Sequence, residues 1–300
     1  MSDASIAIFE THRSLLFGIA YRMLGSVADA QDMVQDAYLR WRNASMEDIH
    51  SPRAWLTTAV TRLCINHLQL ARVRRESYVG TWLPEPLVDE AAANPADAAT
   101  LADTLSLALL VVLDTLNPTE RAVFILREAF DCAFSDIARI VDKSEANCRQ
   151  ILARARQHID ARQPRHRTSP QDADKVLGPF LAALKAGDLE AMLASLAEKV
   201  VLTADGGDKP GALLRPLLGA KQVAQAMLVA ARKHGMAGEL RPASINGLPG
   251  FIRMEGSQAR AVLAFEIADD QIQAVFVISN PRKLRHLAPP ATGSSAQNLS

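Results

Sequence analysis

The side chains with the clearest chemical capacity lie between residues 146 and 157. Arg149 and Gln150 offer a forked donor and an amide pair, groups that match base edges in a DNA major groove. Arg154 and Arg156, a turn further on, suit phosphates. At about 100° per residue, Ala146, Gln150, Ala153, Arg154 and Gln157 share a face opposite Cys148, Leu152 and Ala155, with Arg149 and Arg156 on one flank. The chemistry offered is recognition rather than bond making. A small helical bundle with a solvated basic face would give the same pattern, so the neighbouring elements must decide.

Three helix starts position this face. Asn117 is placed to cap a helix with Pro118 first and Glu120 third, and Ala122, Val123, Ile125, Leu126, Ala129 and Phe130 form its inner side. A short helix follows, with Ser135 as the expected cap and Ile137, Ala138, Ile140 and Val141 inward. After the turn at Asp142 and Lys143, Ser144 opens a third helix whose apolar positions Cys148, Ile151, Leu152, Ala155 and Ile159 repeat at helical spacing. Two helices joined by a tight turn, the second basic outside, have the shape of a helix-turn-helix.

The whole chain has 33 basic and 33 acidic residues, so any nucleic-acid binding must rest on local patches. Two such patches exist: residues 39–75 and 143–167 each hold seven Arg or Lys against two acids. The 300 residues suffice for two or three domains. Cys64, Cys132 and Cys148 lack the close pairing of a metal knuckle and read as reduced core residues, so no metal or other cofactor is expected. The first residues carry an acid where a signal peptide needs bases, and the apolar run 105–113 is too short for a bilayer, so the expectation is a cytoplasmic protein with no membrane partner.

Toward the N-terminus, residues 6–24 form an amphipathic helix that Gly25 can end. Ser26 with Asp29 opens a second helix to about Arg42, with Asp32, Gln35, Asp36 and Arg40 outside and Val27, Ala30, Met33, Val34, Ala37, Tyr38 and Trp41 inside. Ser51 and Pro52 open a third that can run to Arg75. The spacing of Trp41 and Trp55 places both on apolar faces, as core rather than stacking surfaces.

The order D-A-Q-D-M-V-Q-D-A-Y-L-R-W (29–41), P-R-A-W-L-T-T-A-V-T-R-L-C-I-N-H-L (52–68) and the 117–159 block resembles the extracytoplasmic-function (ECF) sigma factors of RNA polymerase. The resemblance implies a sigma-2 domain (1–75), a linker (76–100) and a sigma-4 helix-turn-helix domain (101–162). It implies core RNA polymerase and promoter DNA as partners. Asp32, Gln35, Asp36 and Arg40 would meet polymerase, and Arg62, Asn66, Arg72, Arg74 and Arg75 would face the −10 element. Arg149, Gln150, Ala153, Arg154 and Arg156 would face the −35 element. The loop 43–51 would receive an unstacked base.

The linker 76–100, rich in proline and alanine, reads as a tether rather than a packed element. Within it Y-V-G-T-W-L-P-E-P-L (78–87) resembles the Y-V-G-P-W-L-P-E-P-L signature of ECF sigma factors with a fused SnoaL-like domain. After a second linker (163–170) the pattern becomes helices 174–185, 189–196 and 220–234, a strand 199–203, and a four-stranded meander. This is an α+β domain (171–287) resembling the SnoaL/NTF2-like cone, with 288–300 read as a disordered tail. The fold class is therefore two all-α domains plus an α+β cone.

D-G-G-D-K (205–209) resembles D-G-G-G-K of that subgroup, and N-P-R-K-L (280–284) resembles N-P-D-K-L. The resemblance makes Tyr78, Trp82, Pro84, Pro86, Asp205, Gly206, Gly207, Lys209, Asn280, Pro281 and Leu284 regulatory, through intramolecular contacts between the cone and the sigma domains. The competing expectation is an enzymatic or ligand-sensing cone binding an unknown small molecule, with Asp205 and His234 as its titratable groups, yet no acid–base pair stands at a spacing that fixes geometry. No catalytic residue is therefore assigned, and the protein is not expected to be an enzyme.

Overall fold

A computed structural model describes residues 3–45, 49–75, 80–89, 106–160, 170–209, 212–234 and 239–287. The chain divides into two compact units, the first holding Met1–Tyr78, Leu83–Leu87 and Ala92–Arg165, the second Val79–Trp82, Val88–Ala91 and His166–Ser300.

The first unit is helical: α1 (Asp3–Leu24), α2 (Val27–Arg42), α3 (Pro52–Arg75), α4 (Leu107–Leu113), α5 (Pro118–Glu128), α6 (Phe134–Val141) and α7 (Glu145–Asp160). Most boundaries follow local chemistry. Gly25 takes the left-handed φ of 66° that ends α1, and Ser26 Oγ accepts from Asp29 N at 3.2 Å to start α2. Asn117 makes a full capping box with Glu120. The expected Ser135 cap is not used: α6 begins at Phe134, with Ala133 before it making no side-chain cap bond. α5 ends at Glu128, so Ala129 and Phe130 lie beyond the helix that was expected to bury them. Asp142, at φ 54°, supplies the left-handed turn into α7.

One apolar cluster runs through this unit, from Phe9, Leu16 and Trp41 to Ile125, Ile137, Cys148 and Leu152. Trp41 is 1% exposed and donates its indole N–H to Ser5 O at 2.9 Å, as expected of a core residue. At about 25 cal/mol per Å² of apolar surface, such burial is the main force holding α1–α3 against α5–α7.

The second unit carries α8 (Pro170–Ala186), α9 (Leu189–Ser195) and α10 (Ala220–His234), a seven-stranded sheet, and a closing 3-10 helix, Pro281–Leu287. The strands are β1 (Val88–Asp89), β2 (Leu196–Asp205), β3 (Leu217–Leu218), β4 (Glu239–Ile245), β5 (Leu248–Glu255), β6 (Gln258–Ala268) and β7 (Gln271–Ile278), in the order β1-β4-β5-β6-β7-β2-β3. The meander is β4 to β7; β2 joins it parallel to β7. Val200 and Leu202 join Phe180, Val223 and Phe265 in the core between sheet and helices. There Phe180 and Phe251 both meet Phe265 edge-on, at 5.9 and 6.1 Å between ring centres. This is an α+β arrangement, with helices packed on one face of a mixed sheet.

Composition read the 76–100 stretch as a linker rather than a packed element, yet its described residues, 80–89, include packed and paired positions. Val88 and Asp89 pair antiparallel with Ile245 and Ser244 of β4, and Leu83 is fully buried. The signals were weak because a two-residue strand and a proline-flanked leucine draw their order entirely from distant partners.

Candidate nucleic-acid interface

On α7 the expected face is open. Arg149, Gln150, Ala153, Arg154 and Arg156 are all exposed, while Cys148, Ile151, Leu152, Ala155 and Ile159 are buried. Arg149 is held rather than free: Nη2 donates to Glu145 Oε2 at 2.9 Å, and its guanidinium lies 4.8 Å from the centre of the Phe134 ring. Arg156 pairs with Glu128 at 2.7 Å. Both pairs are exposed and of small energy, so either arginine can exchange its carboxylate for a phosphate or a base.

On α2, Asp32, Gln35, Asp36 and Arg40 are exposed on one side, opposite buried Met33, Val34, Ala37 and Trp41. The N-terminus of this helix is finished by a residue far along the chain. Glu85 accepts from Val27 N at 2.7 Å and from Ser26 Oγ at 3.1 Å, its own N–H donates to Gly25 O at 2.8 Å, and its carbonyl accepts from Tyr21 Oη at 2.6 Å. A carboxylate on unpaired N–H groups at a helix start is stabilising. Pro84 and Pro86, on either side of Glu85, are buried.

The third helix departs from expectation. Asn66 is exposed, but Arg62, expected to face DNA, donates from Nε to Ile140 O at 3.0 Å and from Nη2 to Arg139 O at 2.7 Å. It thereby caps the last carbonyls of α6. In this arrangement those donors are not available to DNA, which corrects the free −10 role read from the sequence. The side chains of Arg72, Arg74 and Arg75, residues 46–48 of the loop, and Tyr78 lie outside the described residues.

Arg121 was not singled out by the sequence, yet among the described residues it is the most buried cation of this unit, 3% exposed. From α5 it donates to Met23 O at 2.7 Å, to Leu113 O at 2.9 Å and to Asp114 Oδ1 at 2.7 Å, and so ties the end of α1 to the start of the helix-turn-helix region. Its periodicity matched the apolar side of α5, the only available hint.

In the second unit the three sequence motifs converge. Asp205, 1% exposed, accepts from Lys283 Nζ at 2.6 Å, and that ammonium lies 4.3 Å from the centre of the Trp82 ring. The Asp205 carbonyl accepts from Ser279 N and Asn280 N, and Lys209 Nζ donates to Ser279 O at 2.7 Å. Gly207 has φ 63°, and a Cβ there would lie 2.8 Å from the Asn280 amide. Gly206 is as tightly placed against Ala212. Leu284 is buried and Pro281 exposed. Lys283 was absent from the expected set, although it is the partner that Asp205 needs.

Asp208 and Arg282 are departures from the related motifs, and here they lie 3.5 Å apart. An acid in one loop answers a base in the other.

Asp205 is not a pocket acid. Strand alternation puts Val200 and Leu202 on the helix-covered side of β2 and Asp205 on the other, where its charge is matched by Lys283. The side chain of His234 lies outside the described residues. Among the described residues no group of three His, Cys, Asp or Glu gathers as a metal site would need, and no helix is long and apolar enough to cross a membrane.

A helix-turn-helix with an open basic face, joined through a common core to a three-helix bundle with an acidic face, defines a DNA-binding transcription factor of the sigma type. Residues 8–74 match Sigma-70 region 2 and residues 106–159 match Sigma-70 region 4. The chain is 36% identical over 292 residues to the ECF RNA polymerase sigma factor SigJ of Mycobacterium tuberculosis, covering 93% of this chain and 92% of that one. The probable ECF RNA polymerase sigma factor SigI of the same species is 31% identical over 286 residues, covering 94% of this chain and 95% of its own. The crystal structure of the M. tuberculosis sigma factor SigJ superposes with a TM-score of 0.76 at 34% identity, covering 95% of this chain and 99% of that chain. The chain belongs to the ECF RNA polymerase sigma factors, which act in transcription initiation.

Proposed function

We propose that this protein is a cytoplasmic, non-enzymatic promoter-specificity factor. It holds core RNA polymerase through Asp32, Gln35, Asp36 and Arg40, and reads a −35 element through Arg149, Gln150, Ala153, Arg154 and Arg156. Short acids and an amide on one side of α2 suit a basic partner helix. The single observation that carries the reading is that the α7 face is exposed and backed by a complete core.

The first unit is in a closed form. With Arg62 capping α6, a −10 strand can use α3 fully only after α6 has moved away, so promoter opening is coupled to separation of the helix-turn-helix from the bundle. The SnoaL-like unit sets that balance, through Trp82, Asp205, Gly206, Gly207, Lys209, Asn280, Pro281 and Leu284 together with Tyr78, Pro84 and Pro86. Supporting this role, Asp205, Lys283 and Trp82 engage one another within the second unit, while Glu85, three residues on from Trp82, caps α2 in the first.

Run-off transcription with purified core enzyme tests the reading. A promoter-dependent transcript is expected, altered in yield when the chain is truncated before Thr168 or before Asn280. Absence of any transcript from the full chain and from both truncations would remove it.

A further inference from the structure

The closed form creates a cleft of about 920 Å³ that neither α3 nor the helix-turn-helix forms alone. One wall is the start of α3 with His50, Arg53, Trp55 and Arg62, and Arg40 stands at its edge; the other is the α5–α6 turn and Arg139. Its size is that of a small-molecule site.

The charges are unevenly matched. Asp136 pairs with Arg139, and Asp131 pairs with Arg127 at 3.0 Å, so both acids of the cleft are neutralised. Arg40 and Arg53 have no carboxylate partner among the described residues, and Arg62 gives Nε and Nη2 to carbonyls while keeping its positive charge. Three guanidinium groups thus share a concavity whose carboxylates, among the described residues, are already paired. Field focusing in such a concavity concentrates anions, and guanidinium matches phosphate oxygens in pairs.

We propose that this cleft binds a small phosphate-rich polyanion, bridging Arg53 and Arg40 beside Arg62, and that the bound anion favours the closed form. The second wall exists only while α6 stands beside α3, so a ligand that fills the cleft binds the closed form better and shifts the population toward it. A nucleoside triphosphate and an inorganic polyphosphate share this chemistry. Trp55, expected as a core residue, packs against Trp41 but is only half-buried and lines the wall, where a base would add stacking energy. The inference rests on the packing of α6 against α3, independently of whether the chain directs transcription.

Isothermal titration of the full chain with sodium tripolyphosphate and, separately, with adenosine triphosphate tests it. Saturable one-to-one binding is expected, weakened about tenfold or more by Arg53→Gln, corresponding to loss of a charge-assisted contact, and unchanged by Arg232→Gln on α10. Trp55→Leu identifies the source: selective weakening of the nucleotide indicates a base on the wall, and unchanged binding of both probes indicates phosphate recognition alone. Hydrogen exchange of α6 amides should slow with saturating tripolyphosphate. The proposal is overturned if no saturable binding is seen up to about 5 mM, if Arg53→Gln binds like the parent or Arg232→Gln loses as much, or if α6 exchange does not slow.

Discussion

The two units use charge in opposite directions. In the first, Asp32, Gln35, Asp36, Arg149, Gln150 and Arg154 stand on exposed helix faces, and their few ion pairs are weak ones. In the second, the charged motif residues turn toward one another, Asp205 to Lys283 and Asp208 to Arg282. Exposed charge left for a partner implies work done by binding, whereas charge matched internally fixes the shape of a loop. The contrast also separates the two units chemically, because the deeply buried acid of the second is engaged and faces away from the helix-covered core.

Breaking the internal pair should have the largest effect. Lys283→Ala leaves the Asp205 carboxylate buried without its cation and should cost about 3–5 kcal/mol, read from denaturant unfolding of the full chain. The double variant Asp205→Asn with Lys283→Met should recover much of that loss. If the single change costs nothing, the pair does not fix the loop.

The corresponding test in the first unit is Arg121→Ala. It removes three hydrogen bonds to two carbonyls and a partly exposed carboxylate, and a loss of about 2–3 kcal/mol is expected by the same measurement. A loss confined to the second unit's transition would contradict the placement of Arg121.

For the outward charges the expected outcome is the reverse. Arg149→Ala should weaken binding of a −35 duplex by about 1–3 kcal/mol, in a fluorescence anisotropy assay at fixed salt, and leave the unfolding midpoint unchanged. Equal weakening across unrelated duplexes would reduce Arg149 to a phosphate contact.

The smallest effect tests the second unit by pH. Burial raises the Glu266 pKa to about 7 from an ordinary 4.5. The folded state therefore holds this proton more tightly than the unfolded state. Its stabilising contribution is complete below about pH 4.5 and is lost as pH rises through about 7. Glu266→Gln should leave the melting temperature unchanged at pH 5 and raise stability by about 1–2 kcal/mol at pH 8. An equal effect at both values would mean that the carboxyl is not titrating in the fold.

How far the fold could be read in advance varied with the range of the forces. Asn117, Ser26 and Ser144 cap helices from two or three residues away, and their roles were legible from neighbours alone. Ser135 had the right chemistry for a cap, but the register imposed by Ile137 and Ile140 in the core started α6 two residues earlier. The α7 face was legible because helical period alone separates Arg149 and Gln150 from Cys148 and Leu152. Arg121 was not, since a single cation on an apolar side has no meaning until the carbonyls it reaches are known.

By itself the sequence determined most of the helices and their caps, the basic face of α7 and the motif likeness that groups this chain with the sigma factors, because each depends on interactions within about one turn or on side-chain type. Tertiary structure alone decided that Glu85 finishes α2, that Lys283 neutralises Asp205, and that Arg62 caps α6. Those pairings join residues 58, 78 and 77 positions apart, and no local preference encodes which distant carbonyl or carboxylate a charged side chain will meet.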